Sequence, residues 1–263
     1  MAQRIGKSAG PTQLESALRS ERTVAAALLG VSLLAWLWIA AMARDMYGPM
    51  TGASAWMMTR QWDVAHLLLL WAMWAVMMIA MMLPTAAPLV LLYGAAARRS
   101  APDTASRQTY ALATGYVFAW TVFSLAATVL QRVLASRLLV SPMMEAASGR
   151  VSGVLLLIAG AYQWTPLKRA CLRTCQSPLG FLMARWRGGT SGAFRMGLDH
   201  GIYCVGCCWA LMLLLFAGGV MNIAVIVGLM VWVGVEKLAP YGRIASQVTG
   251  TLMIAGGLWM LAR

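Results

Sequence analysis

Long apolar segments separated by short polar ones dominate this sequence. The segments cover residues 24–43, 66–92, 110–130, 151–164, 201–235 and 244–261. A membrane-spanning helix needs about 20 mainly apolar residues, and each segment reaches or approaches that length. Residues 201–235 hold 35 positions without a charge, about 52 Å of helix at 1.5 Å per residue. Because Gly218, Gly219 and Asn222 offer a break there, we predict seven transmembrane helices in an all-α polytopic bundle.

The composition supports a membrane protein over a soluble one. Apolar residues make up 60% of the 263 residues and charged residues only 11%, whereas a soluble domain carries about 25% charged residues. We expect a polar tail at 1–23 and a single transmembrane domain at 24–263. Two segments between helices stand out: 44–63, which is rich in Met, Gly and Trp, and 168–195, which is basic and contains two cysteines.

The distribution of positive charge predicts the orientation. In alternate segments, 15 Lys and Arg residues fall on one side of the membrane and six on the other. The richer side of a membrane protein faces the cytoplasm, which places the N-terminus and 168–195 inside and 44–63 outside. The net charge of +13 then reflects loops facing anionic lipid, and we expect no nucleic acid among the partners.

Methionines are concentrated in the first part of the chain. Ten of the 20 lie between positions 42 and 82, and those on the predicted outer side are Met42, Met46, Met50, Met57 and Met58. In the second helix, spacings of 7, 4 and 4 place one histidine and three methionines on a single face; they are His66, Met73, Met77 and Met81, with Met78 and Met82 beside them. Methionine often only fills gaps between helices, but its thioether also suits Cu(I).

The five cysteines form two groups, both on the predicted cytoplasmic side. Segment 168–195 holds Cys171 and Cys175, and the fifth helix holds Cys204, Cys207 and Cys208. His200, Cys204 and Cys207 share one helical face, since they are spaced by four and three residues. The cytoplasm is reducing, so metal ligands or redox groups are expected there more than structural disulfides.

Three interpretations of these cysteines remain open. Four of the Cys and His side chains complete a tetrahedral zinc site, and two or three thiolates hold Cu(I). Alternatively, Cys204 and Cys207 form a C-x-x-C pair for thiol–disulfide exchange. The third interpretation is that the cysteines pack as small apolar side chains.

Acidic residues beside the histidines suggest supporting roles. Asp63 precedes His66 by one turn and is placed to orient its imidazole as a ligand or to form an ordinary interfacial pair with it. Asp199, directly before His200, is placed to cap the fifth helix or to support the metal site. Glu236 and Lys237, at the end of the sixth predicted helix, suggest a mutual surface pair or a gate. No nucleophile elbow, P-loop or zinc-protease motif occurs, so an enzyme is not favoured and no catalytic residue is predicted.

Four segments of the sequence resemble a bacterial family labelled "predicted metal-binding integral membrane protein". The segments are 77–84 (MMIAMMLP), 165–171 (TPLKRAC), 200–212 (HGIYCVGCCWALM) and 235–240 (VEKLAP). The resemblance covers most of the chain from residue 63 onward, and its cysteine-rich segment is the most specific part. It implies metal binding in a bacterial cytoplasmic (inner) membrane, without a defined substrate or reaction.

The sequence therefore predicts copper(I) handling, by transport or delivery. Cu(I) would enter through the outer methionines, follow the stripe from His66 to Met81, and reach the thiols and His200 on the inner side. The expected partners are the lipid bilayer, the metal ion, and a metallochaperone or a metalloenzyme under assembly. The alternatives are a structural zinc site in a membrane scaffold or assembly factor, and a membrane thiol–disulfide oxidoreductase.

Overall fold

The computed structural model describes residues 11–48, 63–141 and 143–263, with side chains from residue 22 onward. All regular elements within these ranges are helical, apart from an isolated bridge between Val140 and Ala146. The α-helices are α1 (Pro11–Met46), α2 (Val64–Ser100), α3 (Ala105–Ser136), α4 (Gly149–Gln163), α5 (Pro166–Gln176), α6 (Pro178–Arg185), α7 (Gly189–Met212), α8 (Leu214–Gly218), α9 (Ile223–Leu238) and α10 (Gly242–Ala262). The predicted all-α bundle is confirmed.

Five helical stretches are long and apolar enough to cross a membrane. They are 22–46, 64–100, 102–136, 189–218 and 242–262. Helices α4 and α9 form where the fourth and sixth spans were predicted, but they have only 15 and 16 residues, short of the usual length of about 20. Five of the seven predicted spans therefore meet this length and composition criterion within the described residues, and the number of crossings and the orientation stay predictions.

The segment predicted as a cytoplasmic loop, 168–195, is helical. It forms most of α5, all of α6 and the start of α7. Thr165 caps α5 by accepting a hydrogen bond from the Lys168 amide (3.2 Å), and Pro166 is favourable in the first turn of the helix. The sequence predicted that this segment lies between spanning helices but not that α5 buries one face against α7.

Two other expectations concern segment ends. The break between the fifth and sixth predicted helices is confirmed, since Gly219 adopts a positive φ of 93° and Asn222 caps α9. The predicted outer loop 44–63 is only partly described: residues 44–46 belong to α1, while Met50, Met57 and Met58 lie outside the described residues.

Close contact between α3 and α7 depends on glycine. A Cβ atom on Gly197 of α7 would overlap the Leu112 carbonyl of α3, and one on Gly115 of α3 would overlap the Phe194 carbonyl of α7. Small residues of this kind let two helix backbones approach in a membrane bundle. The contact places Tyr116 of α3 directly beside the cysteines of α7.

Helix α2 lies at the centre of the structure. Its buried residues include Met73, Met77, Met81 and Met82, and these belong to the same apolar cluster as all five cysteines. α2 contacts α1, α3 and α9. The two groups of sulfur-bearing side chains predicted from the sequence thus meet in one interior.

Candidate metal centre

Thiols from two helices meet between α5 and α7. The Sγ atoms of Cys175 on α5 and Cys207 on α7 lie 3.8 Å apart. Spacing of four residues puts Cys171 on the same face of α5 as Cys175, and both are buried. All five cysteines are buried and free.

Cys204 has an environment that the sequence did not predict. The Nζ atom of Lys237, from α9, lies 2.9 Å from its Sγ, and the Tyr116 hydroxyl lies 3.0 Å from it. The same Lys237 ammonium is 3.3 Å from Thr85 Oγ1 and 3.7 Å from Met82 Sδ. A fixed positive charge therefore lies between a cysteine sulfur and a thioether, in a buried position.

The remaining cysteines of the cluster pack more simply. The thiols of Cys207 and Cys208 each donate to the Cys204 carbonyl, at 3.1 and 3.0 Å. Cys171 Sγ packs against Gly206, where a Cβ would come within 2.8 Å of the sulfur. Gly206 thus allows α5 to approach α7 closely enough for Cys175 to reach Cys207.

The two α5 thiols lie outside the five long apolar helices. Hydrogen bonding to the sulfurs of Cys204 and Cys207, together with burial, raises the pKa of the Cys175 thiol. Burial also raises the pKa of Cys171. Both α5 cysteines are therefore thiols at neutral pH before any metal binds, and a metal must displace their protons.

His200 lies beside the cluster. Its ring lies tilted against the Tyr116 ring (5.9 Å between centroids) and edge-on to the Phe181 ring (5.1 Å). Its Nδ1 atom is buried and, within the described part of the chain, has no hydrogen-bond partner. Such a nitrogen is costly to bury alone, which makes His200 the histidine available to the cluster.

The predicted thioether stripe is buried along α2, and the neighbouring Met82 approaches the Lys237 ammonium that contacts Cys204. Met73, Met77 and Met81 are fully buried. The methionine that the structure brings to the Cys204 environment is Met82, beside the stripe. His66 lies buried at the start of α2, at the other end of the stripe.

The two carboxylates proposed to orient the histidines have other contacts. Asp63 accepts a hydrogen bond from the backbone amide of His66 (2.8 Å) and so caps α2. Asp199 lies inside α7, which begins ten residues earlier than Asp199 at Gly189, so the capping interpretation of Asp199 is wrong. Its carboxylate pairs instead with Arg185 and Arg187, at 3.6 and 3.4 Å.

The donor geometry favours few sulfurs over four ligands. Within the described residues, no three His, Cys, Asp or Glu side chains are grouped closely enough to hold a metal ion together. Two sulfurs that share one metal at about 2.3 Å can be at most about 4.6 Å apart, and the Cys175–Cys207 separation of 3.8 Å meets that condition. A two-sulfur arrangement suits Cu(I), whereas a structural zinc site needs four ligands.

A buried polar network beside the thiols was also missed by the sequence analysis. Glu236 pairs with Lys168 (2.5 Å, both about 1% exposed) and accepts from Gln163 (2.8 Å) and Trp232 (3.1 Å). Glu236 and Lys237 are thus both buried, with separate partners, and the surface-pair interpretation is wrong. The sequence held one signal against a mutual pair: Glu236 and Lys237 are adjacent, and adjacent side chains on a helix point in different directions.

These features define an all-helical protein whose interior gathers sulfur donors around a buried cation. A family model described as "PpoB2: Copper chaperone" matches residues 71–260. This span is well over half of the chain and includes every cysteine, so the protein belongs to this copper chaperone family. No curated protein and no solved structure matches the chain.

Membership of this family supports two expectations from the sequence. It supports copper as the metal and copper handling as the function. It agrees with the metal-binding character implied by the sequence resemblance, although the family carries a different label. The zinc alternative gains no support from it.

Proposed function

We propose that this protein is an integral membrane copper chaperone that holds Cu(I) between α5 and α7 and hands it to an acceptor. The copper would be held by two thiolates, Cys175 and Cys207, with Cys204 beside them under the Lys237 ammonium and with His200 and Cys171 as neighbouring donors. The observation that carries this proposal is the 3.8 Å separation of the Cys175 and Cys207 sulfurs beside the Lys237–Cys204 contact. Thiolates suit Cu(I), and a pair of sulfurs lacks the four ligands that a structural zinc site takes.

Charge balance supports Cu(I) at this position. Two thiolates and one Cu(I) carry a net charge of −1, and a buried net charge is costly unless an opposite charge lies close. The Lys237 ammonium, 2.9 Å from Cys204 Sγ, supplies that charge. The complete unit of two thiolates, Cu(I) and Lys237 would be neutral in the apolar interior.

The thioethers of α2 support a route to this site. Met73, Met77 and Met81 are buried along one face of α2, and Met82 reaches the Lys237 ammonium. Weak thioether sites would pass Cu(I) to stronger thiolate sites, from His66 towards Cys204. In the predicted orientation, the ion would move inward through the bacterial cytoplasmic membrane to a metallochaperone or a metalloenzyme under assembly.

Copper content of the purified protein tests the site. We expect one tightly held Cu(I) per chain after loading, and loss of most of it in Cys175→Ser, Cys204→Ser and Cys207→Ser variants. Cys208→Ser is the matched control, because its thiol only donates to the Cys204 carbonyl and a serine hydroxyl can do the same. Wild-type copper content in the Cys175, Cys204 and Cys207 variants would overturn the site.

The same measurement separates the alternatives. A zinc scaffold predicts zinc in the purified protein and loss of folding in the serine variants. A thiol–disulfide oxidoreductase predicts a disulfide that cycles with redox buffer and no response to copper chelators. Because a lysine beside a cysteine also suits a reactive thiol, the disulfide and chelator measurements decide between copper binding and redox chemistry.

A further inference from the structure

A pocket lies on the face of α5 opposite the thiols, where α5 meets the start of α10. It has a volume of about 290 Å³ and is lined by Pro166, Arg169, Leu172, Arg173, Gln176 and Arg243. Three guanidinium groups from two helices contribute to it. No carboxylate lines it.

These arginines have no acidic partner within the described residues. Three other cations, Lys168, Arg185 and Arg187, pair with Glu236 or Asp199. Glu236, the nearest acidic residue along α9, is buried and holds Lys168 and Gln163. Three like charges that converge without a counter-charge repel one another and raise the local concentration of anions.

The geometry of the pocket favours a phosphate group. Arginine presents planar pairs of N–H donors that match two phosphate oxygens. Arg173 Nε donates to the Arg169 carbonyl (3.3 Å), which fixes the direction of its side chain. Arg243 lies at the second position of α10, and the start of a helix adds partial positive charge.

The location of the pocket favours a lipid as the source of the phosphate. Helix α10 is one of the five helices long and apolar enough to cross a membrane, so its first turn lies at a membrane interface. The predicted orientation places this turn at the cytoplasmic leaflet, which carries anionic lipid. Basic pockets between helices on this side of a membrane bind the headgroups of such lipids. Pro166 and Leu172 give the pocket an apolar edge for the glycerol and upper acyl chain.

We propose that this pocket binds the phosphate headgroup of an anionic phospholipid. The proposal rests on the membrane location given under the proposed function, but not on its copper site. Bound lipid would hold the outer face of α5, whose inner face carries Cys171 and Cys175. The lipid would thereby secure the helix that brings Cys175 to Cys207.

Thermal unfolding of the full chain in uncharged detergent tests the pocket, with short-chain phosphatidylglycerol as the probe and short-chain phosphatidylcholine and inorganic phosphate as comparisons. We expect phosphatidylglycerol alone to raise the unfolding temperature of the wild type. In Arg173→Gln/Arg243→Gln, the concentration needed for half of this increase should rise about tenfold. Arg107→Gln/Arg195→Gln is the matched control, because it removes two exposed charges elsewhere.

Several outcomes would overturn the inference. One is an equal response to phosphatidylcholine, which lacks net charge. Another is equal weakening in both double variants, which would mean that net charge alone attracts the lipid. A matching response to inorganic phosphate would assign the pocket to the free anion. Copper content is measured on the same samples. A wild-type protein that holds no copper after loading would count against the copper site alone and not against the lipid pocket.

Discussion

At the scale of single residues, Lys237 determines the chemistry of the interior more than any other side chain. Its ammonium group contacts Cys204 Sγ, Thr85 Oγ1 and Met82 Sδ at 2.9, 3.3 and 3.7 Å. A buried lysine is costly unless a partner of opposite charge is close. In the proposed site, a thiolate at Cys204 would be that partner.

Removal of this charge should weaken copper binding. We expect Lys237→Gln to lower the Cu(I) affinity about tenfold, which corresponds to about 1.4 kcal/mol, because the anionic copper–thiolate unit loses its counter-charge. Titration against a Cu(I)-specific chelator measures the change. Lys237→Arg keeps the charge and is expected to retain most of the affinity; equal affinity in all three proteins would show that Lys237 does not balance the site.

The residue scale also shows what the sequence could and could not predict. Cysteine spacing predicted that Cys204 and Cys207 share a face with His200, and the structure places them so. Nothing in the sequence brought Lys237 to Cys204, because they are 33 positions apart and belong to different helices. A neighbouring Glu–Lys pair at a predicted helix end suggests the surface, and only tertiary packing buries it.

At the scale of helices, the Lys168–Glu236 pair connects α5 to α9. Gln176 Nε2 of α5 also donates to the Glu236 carbonyl (2.8 Å), and Ser246 of α10 donates to Gln163 Oε1 (3.0 Å). The network thereby joins α4, α5, α9 and α10. It lies between the thiol cluster and the arginine pocket and fixes the position of α5.

Breaking this pair from one side should be strongly destabilising. Lys168→Met leaves the Glu236 carboxylate buried without its cation, which costs about 3–5 kcal/mol. Denaturant or thermal unfolding in detergent measures the loss. Arg185→Gln is the control, because its pair with Asp199 is 42% exposed on the arginine side and such pairs contribute at most about 1 kcal/mol. Similar losses in both variants would contradict the prediction.

Helix contact supplies a second prediction at this scale. Gly197→Ala places a methyl group against the Leu112 backbone, so α3 and α7 must separate and Tyr116 must move away from Cys204. We expect a lower unfolding temperature and weaker copper binding. Gly234→Ala is the matched control, since a Cβ there has no neighbour within 4 Å and alanine favours a helix. A Gly197 variant as stable as the Gly234 variant would disprove the close contact.

Helix boundaries show the limit of hydropathy as a guide. Apolar length located every major helix, because burial in lipid or protein demands it. Hydropathy placed the start of α7 near residue 201, although the helix begins at Gly189, because Arg195 and Asp199 interrupt the apolar pattern without interrupting the backbone. The charged side chains lie on the outer side of the helix, where they are tolerated.

At the scale of the whole molecule, the structure brings two sulfur-rich regions of the sequence into one interior. The methionines of α2 and the cysteines of α5 and α7 are separated by about a hundred positions in the chain, yet they share one apolar cluster. Composition predicted soft-metal chemistry at each region. Their meeting point at Met82 and Lys237 depended on the packing of α9 and could not be predicted.

The rate of copper loading should distinguish the methionine route along α2 from the final copper site. In protein reconstituted into vesicles, Met73→Leu/Met77→Leu/Met81→Leu is expected to slow copper loading severalfold from the outer side, while the final copper content is unchanged, because leucine keeps the volume and removes the sulfur. Met183→Leu is the control, since Met183 is 78% exposed on α6. An unchanged loading rate in the triple variant would remove the methionines of α2 from the route.

The burial of all five cysteines has a consequence for kinetics. A small alkylating reagent can reach these sulfurs only when α5 and α7 part, and an acceptor protein that receives copper needs the same opening. The alkylation rate of the native, copper-free chain therefore measures how often the helices separate. An acceptor that docks productively should accelerate this labelling, because it must uncover the sulfurs before it can take the ion.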